Sequence, residues 1–387
     1  MNPEISRDRL DAADPLDTEL HRLPAAPAAR RGGRSRWALG LAPFPRSGLV
    51  LLALGVALGP YGLNILSASV LSSLDPIISV ALAALGALVG LGLRVRQPRE
   101  ALLFGASSLE AGLTTIVVGA GILTVSLVQH PLESWIFALL LGTCAASSAT
   151  TAETSADEQA TPAARIGDLD DVFPIVVGGL ALAIIRDVSL ASALSLVLLA
   201  ALIALAIALA GWLLVAQTAL EGEQHVFVAG TLLLIGGATA YLLQSALLGG
   251  LVAGLFWNVA GGAARERISQ DIRYFQHPLL VLLLLAAGAR FLPSANTALL
   301  GVAYLVCRTA GKLVGGQLAR RVVSRSSWRD PGLTLLAPGL TGVAFALNVL
   351  QASGQADWAL SLLAIVVTGS IGSEVLSLSI RPRGHRT

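Results

Sequence analysis

From residue 44 onward the chain alternates long apolar stretches with short polar breaks. Twelve apolar spans follow one another: 44–62, 73–94, 101–128, 132–150, 162–187, 190–218, 225–243, 245–260, 276–293, 297–319, 333–351 and 357–381. A helix that crosses a membrane needs ~20 predominantly apolar residues, and most of these spans are long enough. Turn signals such as Gly62-Leu63-Asn64 and Asp330-Pro331 mark the breaks, and the run 225–260 is too long for one crossing and splits in two. Span five is expected to start with Thr161 as N-cap and Pro162 at the first helical position. The pattern predicts an all-α polytopic membrane protein of about twelve transmembrane helices. Residues 1–43 are polar and rich in Pro, Arg and Asp, with no apolar core of signal-peptide length; they read as a disordered tail, and residues 382–387 as a short C-terminal tail.

Composition agrees. Charged residues make up 13% of the 387 positions and AVILMFWYC residues 55%, with a mean hydropathy of +0.74. A soluble domain carries roughly 25% charged residues, so a soluble enzyme, a nucleic-acid binder and a disordered scaffold are excluded. The 26 basic residues are all arginine except Lys312. With both termini cytoplasmic, every base except Arg186, Arg290, Arg308 and Lys312 falls on the cytoplasmic side, as the positive-inside rule requires. The two cysteines, Cys144 and Cys307, lie in apolar segments and suggest neither a disulfide nor a metal site; no cofactor is implied.

Six charges lie where hydrocarbon is expected: Glu110, Asp170, Asp171, Arg308, Lys312 and Glu374. Each costs ~2.5–3.5 kcal/mol to insert and is a functional candidate by default. Four acids against two bases leave a negative surplus, which protons or bound cations must meet. Arg308 and Lys312 are four residues apart and share a helix face, so they need carboxylates from other helices. Lys312 and Asp171 lie at comparable depths, which favours a pair between them, and Arg308 is expected to pair with Glu110 or Glu374. Asp168 and Asp171 share a face, and Pro174 leaves the Asp170 carbonyl without its helical donor; together they form an oxygen-rich site for a hard cation. Asp75, before Pro76, reads as an N-cap.

Two spans are poor continuous helices. Span four ends in Thr143-Cys144-Ala145-Ala146-Ser147-Ser148-Ala149-Thr150-Thr151, and span eleven contains Ala337-Pro338-Gly339-Leu340-Thr341-Gly342. Interrupted spans in corresponding positions of two halves point to a transporter site at the midplane, because unwound backbone is tolerated at that depth only where it lines a cavity. Gly86/Gly90, Gly250/Gly254 and Gly311/Gly315 fit close packing between helices.

These residues resemble the cation:proton antiporter superfamily, within it the sodium/hydrogen exchanger family and its bacterial monovalent branch. The likeness covers residues 44–381. It rests on the Gly-Pro turn in Leu58-Gly59-Pro60-Tyr61-Gly62-Leu63-Asn64-Ile65-Leu66, the paired acids of Asp168-Leu169-Asp170-Asp171, the segment Leu248-Gly249-Gly250-Leu251-Val252-Ala253-Gly254, and the basic helix around Arg308-Thr309-Ala310-Gly311-Lys312-Leu313. The resemblance implies two inverted repeats, with spans four and eleven as discontinuous helices that cross at the ion site. Spans 101–187 and 297–381 would form a moving core, and 44–94 and 190–293 a scaffold through which a homodimer forms. Asp171 matches the ion- and proton-binding aspartate, Asp170 its acidic neighbour and Lys312 the partner base; Arg308 and Glu374 look like supporting charges, and Glu110 stays a candidate charge partner by its place in span three. Thr143, Ser147 and Ser148 would add hydroxyls to the ion site, and Pro338 and Gly339 would break span eleven. The sequence departs from the family where Ser147-Ser148-Ala149 replaces a Thr-Asp or Thr-Ser-Pro break, so hydroxyls remain but a carboxylate and the Pro are missing.

The function implied is secondary antiport of a monovalent cation (Na+ or K+) against H+ across a bacterial cytoplasmic membrane, by alternating access. Asp171 holds either ion or proton, never both. Lys312 would pair with an acid of span five until a cation arrives and a proton leaves, a scheme that favours electrogenic exchange. A sodium-coupled symporter of an organic anion and a non-transporting relative are the alternatives. An intramembrane enzyme lacks its sequence signals: Gly-x-Gly-Asp, His-Glu-x-x-His and any mid-span His are absent.

Overall fold

In the computed structural model the described residues are 48–93, 98–126, 134–149, 162–186, 189–218, 221–323 and 331–380. The tail assignments, the Thr161 cap and the residues Thr150 and Thr151 lie outside them. Fifteen helices make up the described chain: α1 Gly48–Leu58, α2 Ala68–Ser73, α3 Asp75–Gly92, α4 Pro98–Ser126, α5 Ser134–Ala146, α6 Pro162–Leu169, α7 Val172–Arg186, α8 Leu190–Gln217, α9 Glu221–Tyr241, α10 Ala246–Ala260, α11 Gly262–Ala289, α12 Ala295–Val323, α13 Pro331–Thr334, α14 Leu340–Ala352 and α15 Asp357–Ile380.

Every apolar span therefore contains helix. Seven helices are long and apolar enough to cross a membrane unaided. Three of the other spans are interrupted. Span five is two helices, α6 and α7, parted at Asp170–Asp171. Span eleven is the single turn α13, a break and α14; span four is helical only to Ala146 before Ser147–Ala149. The turn after α1 carries Asn64 at φ 53°, a left-handed conformation that Asn tolerates better than most residues.

Two expectations change. The helix of span nine begins at Gly262 rather than 276, so Arg265, Arg267 and Arg273 lie on α11 and not in a loop. Ala264, Ile268, Asp271 and Ile272 are buried at helical spacing along this polar half, and that one-sided burial holds it in helix. Asp75 is not an N-cap. It is the first residue of α3, behind Leu74 as cap, and its carboxylate pairs with Arg290 at 2.5 Å and accepts from Gln355 Nε2 at 2.7 Å. A tertiary partner outcompetes the local backbone here.

Small residues set the packing. A Cβ on Gly86 would meet the Leu247 carbonyl, one on Gly250 the Ala83 carbonyl, and one on Gly254 the Ala87 carbonyl, so the backbones of α3 and α10 touch directly. Helix α3 also packs on α9 and α11, α8 on α9 and α10, and α1 on α11. A second set of contacts joins α4 to α5, α6 and α12, α5 to α7, and α15 to α12 and α14. Leu140, Leu141, Ile175, Phe345, Leu347 and Ile365 of these helices lie in one buried apolar cluster, which continues into α3, α10 and α11.

Candidate functional site

The breaks of spans four and eleven meet. Ser147–Ala149 and Ala337–Gly339 run antiparallel past each other, bridged at Ser148 and Pro338. Ala149 N–H donates to the Ala337 carbonyl at 3.0 Å, and Gly339 N–H to the Ser147 carbonyl at 3.3 Å. Pro338 has no amide hydrogen to contribute to a helix. Gly339 is required by space: a Cβ there would collide with Ser147 Oγ. Each unwound segment thus satisfies part of the other's backbone, which is what permits irregular chain at this depth.

The charged side chains gather around this crossing, from α4, the α6–α7 junction and α12. Lys312 is fully buried. Its Nζ donates to Glu110 Oε2 at 3.1 Å and Asp170 Oδ2 at 3.2 Å, and also to the Ala146 carbonyl at the end of α5. Glu110 and Asp170 are equally buried. Glu110 Oε1 accepts from Thr114 Oγ1 at 3.0 Å, and Asp170 Oδ1 from Ser148 N–H at 3.2 Å. Glu110 reaches Lys312 because α12 has no side chain in the way: a Cβ on Gly315 would lie 3.1 Å from Glu110 Cγ, and one on Gly311 3.0 Å from Thr114 Cα.

Asp171 is set differently. Its Oδ1 accepts from Ser147 Oγ at 2.7 Å, and the Thr341 hydroxyl in the first turn of α14 also bonds to it. Among the described residues no basic nitrogen lies within ion-pair distance of this carboxylate. The acids at 170 and 171 precede α7, and Thr341 opens α14, so the positive ends of two helix dipoles face the carboxylates. Arg308, also buried, donates to the Leu336, Ser147 and Ala337 carbonyls at 2.7, 2.9 and 3.4 Å. These are carbonyls that the helix breaks leave without intrahelical donors.

The expected pairings are therefore rearranged. Lys312 holds Asp170 and Glu110, not Asp171. Arg308 donates to backbone carbonyls, while Glu110, one of its two expected partners, is held by Lys312. Asp168 is exposed and lies 3.7 Å from Arg165, yet close enough to Asp171 for the two charges to interact. Arg165 also pairs with Glu100 at 3.1 Å, and Ser107 Oγ donates to the Ile166 carbonyl at 3.1 Å; both tie α6 to α4 and so fix where Asp170 emerges. Thr143 is buried, but its hydroxyl donates to Leu140 O within its own helix at 2.7 Å. Ser148 presents its amide to Asp170, while its Oγ is buried with no hydrogen-bond partner among the described residues. Pro174 lies in the first turn of α7, where a missing amide hydrogen costs little. Glu374, on α15, lines a cavity of about 30 Å³ beside Pro338, Gly339 and Ser370.

The sequence reading missed Thr341 as a ligand to Asp171 and Glu110 as a partner of Lys312. The glycines at 311 and 315, on either side of Lys312, were the signal for the second, since they mark the face where α4 approaches.

Four carboxylates (Glu110, Asp170, Asp171 and Glu374) lie around two bases (Lys312, Arg308) at the crossing, which leaves negative charge in excess. Lys312 is held by Glu110 and Asp170 and Arg308 donates to backbone carbonyls, so neither base forms an ion pair with Asp171. Chemically, that is an anionic oxygen with hydroxyl neighbours, suited to a hard monovalent cation or a proton.

No protein-family model matches this sequence, and no curated relative does. The fold has solved counterparts. One structure of the sodium proton antiporter MjNhaP1 from Methanocaldococcus jannaschii, at pH 8, superposes with a TM-score of 0.60 at 14% identity, covering 89% of this chain and 92% of that one. An electron-microscopy structure of the same antiporter gives 0.58 at 16% identity, covering 89% and 90%. The chain has the sodium/proton antiporter fold.

Proposed function

We propose that the protein exchanges a monovalent cation, Na+ or K+, for protons across a membrane by alternating access, with Asp171 as the shared site. The observation that carries this reading is the unpaired Asp171 at the crossing of two broken helices, with Ser147 and Thr341 beside it and both nearby bases engaged elsewhere. A carboxylate in this position needs a positive visitor. The antiporter fold supports the same reading, and so does Ser147, which keeps a hydroxyl at Asp171 despite the altered fourth-helix break.

Coupling follows from competition. A cation at Asp171 excludes the proton and the reverse, so each crossing carries one or the other. Lys312 takes a steadier role than the sequence suggested. With Glu110 as a second counterion it keeps a partner when Asp170 turns toward a cation, so the carboxylates rather than the amine carry the exchanged proton. Arg308 holds the two unwound segments together. The helices of spans 101–187 and 297–381 would move as one body against those of 44–94 and 190–293, the latter forming a homodimer in a bacterial cytoplasmic membrane with both termini inside.

The test is transport by the purified protein in proteoliposomes carrying an imposed pH gradient. Addition of Na+ or K+ is expected to dissipate the gradient, at a rate that saturates with cation. Cation uptake that leaves lumenal pH unchanged would contradict antiport and favour sodium-coupled symport.

A further inference from the structure

Helix α14 carries its polar residues on one side. Thr341, Asn348 and Gln351 fall within an arc of about 80° at 3.6 residues per turn, with the small Ala344 between them. The opposite side is Val343, Ala346 and Leu350. The polar side runs about 15 Å along the helix, from the hydroxyl at Asp171 toward the membrane face opposite Arg320 and Arg321. Lipid-depth helices do not carry such a side without a polar task, since each amide must be satisfied.

Here the amides are satisfied across a seam between α14 and the helices α3 and α10. Asn348 Oδ1 accepts from Ala246 N–H, and its Nδ2 donates to Ser245 Oγ, both at 3.0 Å. Gln351 Oε1 accepts from Ser79 Oγ at 3.2 Å, and its Nε2 donates to the Asp75 carbonyl at 2.9 Å. Past the helix end, Gln355 Nε2 donates to Asp75 Oδ2 at 2.7 Å, and Arg290 holds the other Asp75 oxygen. The seam also encloses a cavity of about 40 Å³ lined by Ser79, Gln244, Asn348 and Gln351, room for a water molecule. Gln244 is buried in its wall, and its Nε2 has no hydrogen-bond partner among the described residues.

We infer that the polar side of α14 lines the external access route to Asp171, and that Asp75, through Gln355 and Gln351, is the latch that closes this route in the state described. The inference rests on the antiport reading for what travels the route, a monovalent cation or a proton. Beside the apolar contacts that these three helices share, the seam is closed by side-chain hydrogen bonds. They are replaceable by water when α14 moves, so the polar side becomes the wetted wall of the route.

The test uses the full-length protein in intact cells, with Cys144 and Cys307 replaced by alanine and single cysteines introduced by Ala344→Cys, Asn348→Cys or Leu350→Cys. The probe is a membrane-impermeant maleimide added outside. Positions 344 and 348 are expected to react and position 350 not. Gln355→Ala is expected to raise their reaction rate roughly tenfold, as when one hydrogen bond to a charged group stops favouring a closed state. Asp75→Asn serves as an independent latch variant, and Ala344→Cys leaves the Asn348 bonds to Ala246 and Ser245 intact should their loss impair folding. Reaction at 350 as fast as at 348 would overturn the inference. So would no reaction from outside in any background, reaction only in inverted vesicles, or rates unmoved by both latch variants. Correct labelling without cation-driven pH change would leave the route standing and sink antiport; pH change without labelling would do the converse.

Discussion

Asp171→Asn is expected to reduce cation-driven dissipation of a pH gradient by about 100-fold or more, because removal of one charged ligand from a shielded site costs on the order of 3 kcal/mol. The amide keeps the shape and can still accept from Ser147 Oγ, which bonds Asp171 at 2.7 Å, so insertion and thermal stability should change little. That separation is informative. A carboxylate whose task is structural would lose stability when neutralised; one that waits for a cation loses only its ligand. The check is initial rate in proteoliposomes beside a melting curve in detergent. Native-like transport would remove Asp171 from the mechanism, and a large drop in melting temperature would recast it as a structural charge.

Lys312→Met is expected to have the opposite profile, with stability affected most. The ammonium is the shared partner of two buried carboxylates, Glu110 and Asp170. Its removal leaves them facing one another with hydroxyl and amide donors alone. Breaking a buried pair typically costs ~3–5 kcal/mol, and this cluster loses the base common to two pairs. Adding Asp170→Asn should recover part of the loss by removing one orphaned charge, a non-additivity that a double-mutant cycle measures. Full additivity of the two substitutions would show that Lys312 and Asp170 are not coupled.

Much of this architecture could be read from the chain. The apolar spans were visible because hydrocarbon imposes a length and a polarity on every crossing helix. The two breaks were visible because Pro338-Gly339 and the Ser147-Ser148 hydroxyls are misplaced in an apolar helix. The buried charges stood out for the same reason. What could not be read was who pairs with whom. Helical spacing fixes the face on which Lys312 and Arg308 lie, but not the rotation of α4 and α7 against α12. Depth alone therefore suggested Asp171 for Lys312, whereas the break between α6 and α7 gives Lys312 the neighbouring Asp170. Arg308 was harder still, since its acceptors are backbone carbonyls that exist only because the helices are broken. Asp75 shows the same limit: its position before Pro76 suits a local cap, and only the fold brings Arg290, 215 residues away in sequence, to claim it.

The charge pattern at the crossing gives the account its most direct test: the concentration of Na+ or K+ that half-saturates exchange by the native protein, measured in proteoliposomes as a function of pH. If cation and proton share Asp171, deprotonation must precede cation binding. The half-saturating concentration should then rise about tenfold for each unit by which the pH falls once the proton dominates, while the maximal rate at saturating cation holds. A half-saturating concentration that stays constant across the pH range in which the protein is active would show that the two ions do not compete for one carboxylate, and the proposed mechanism would fall.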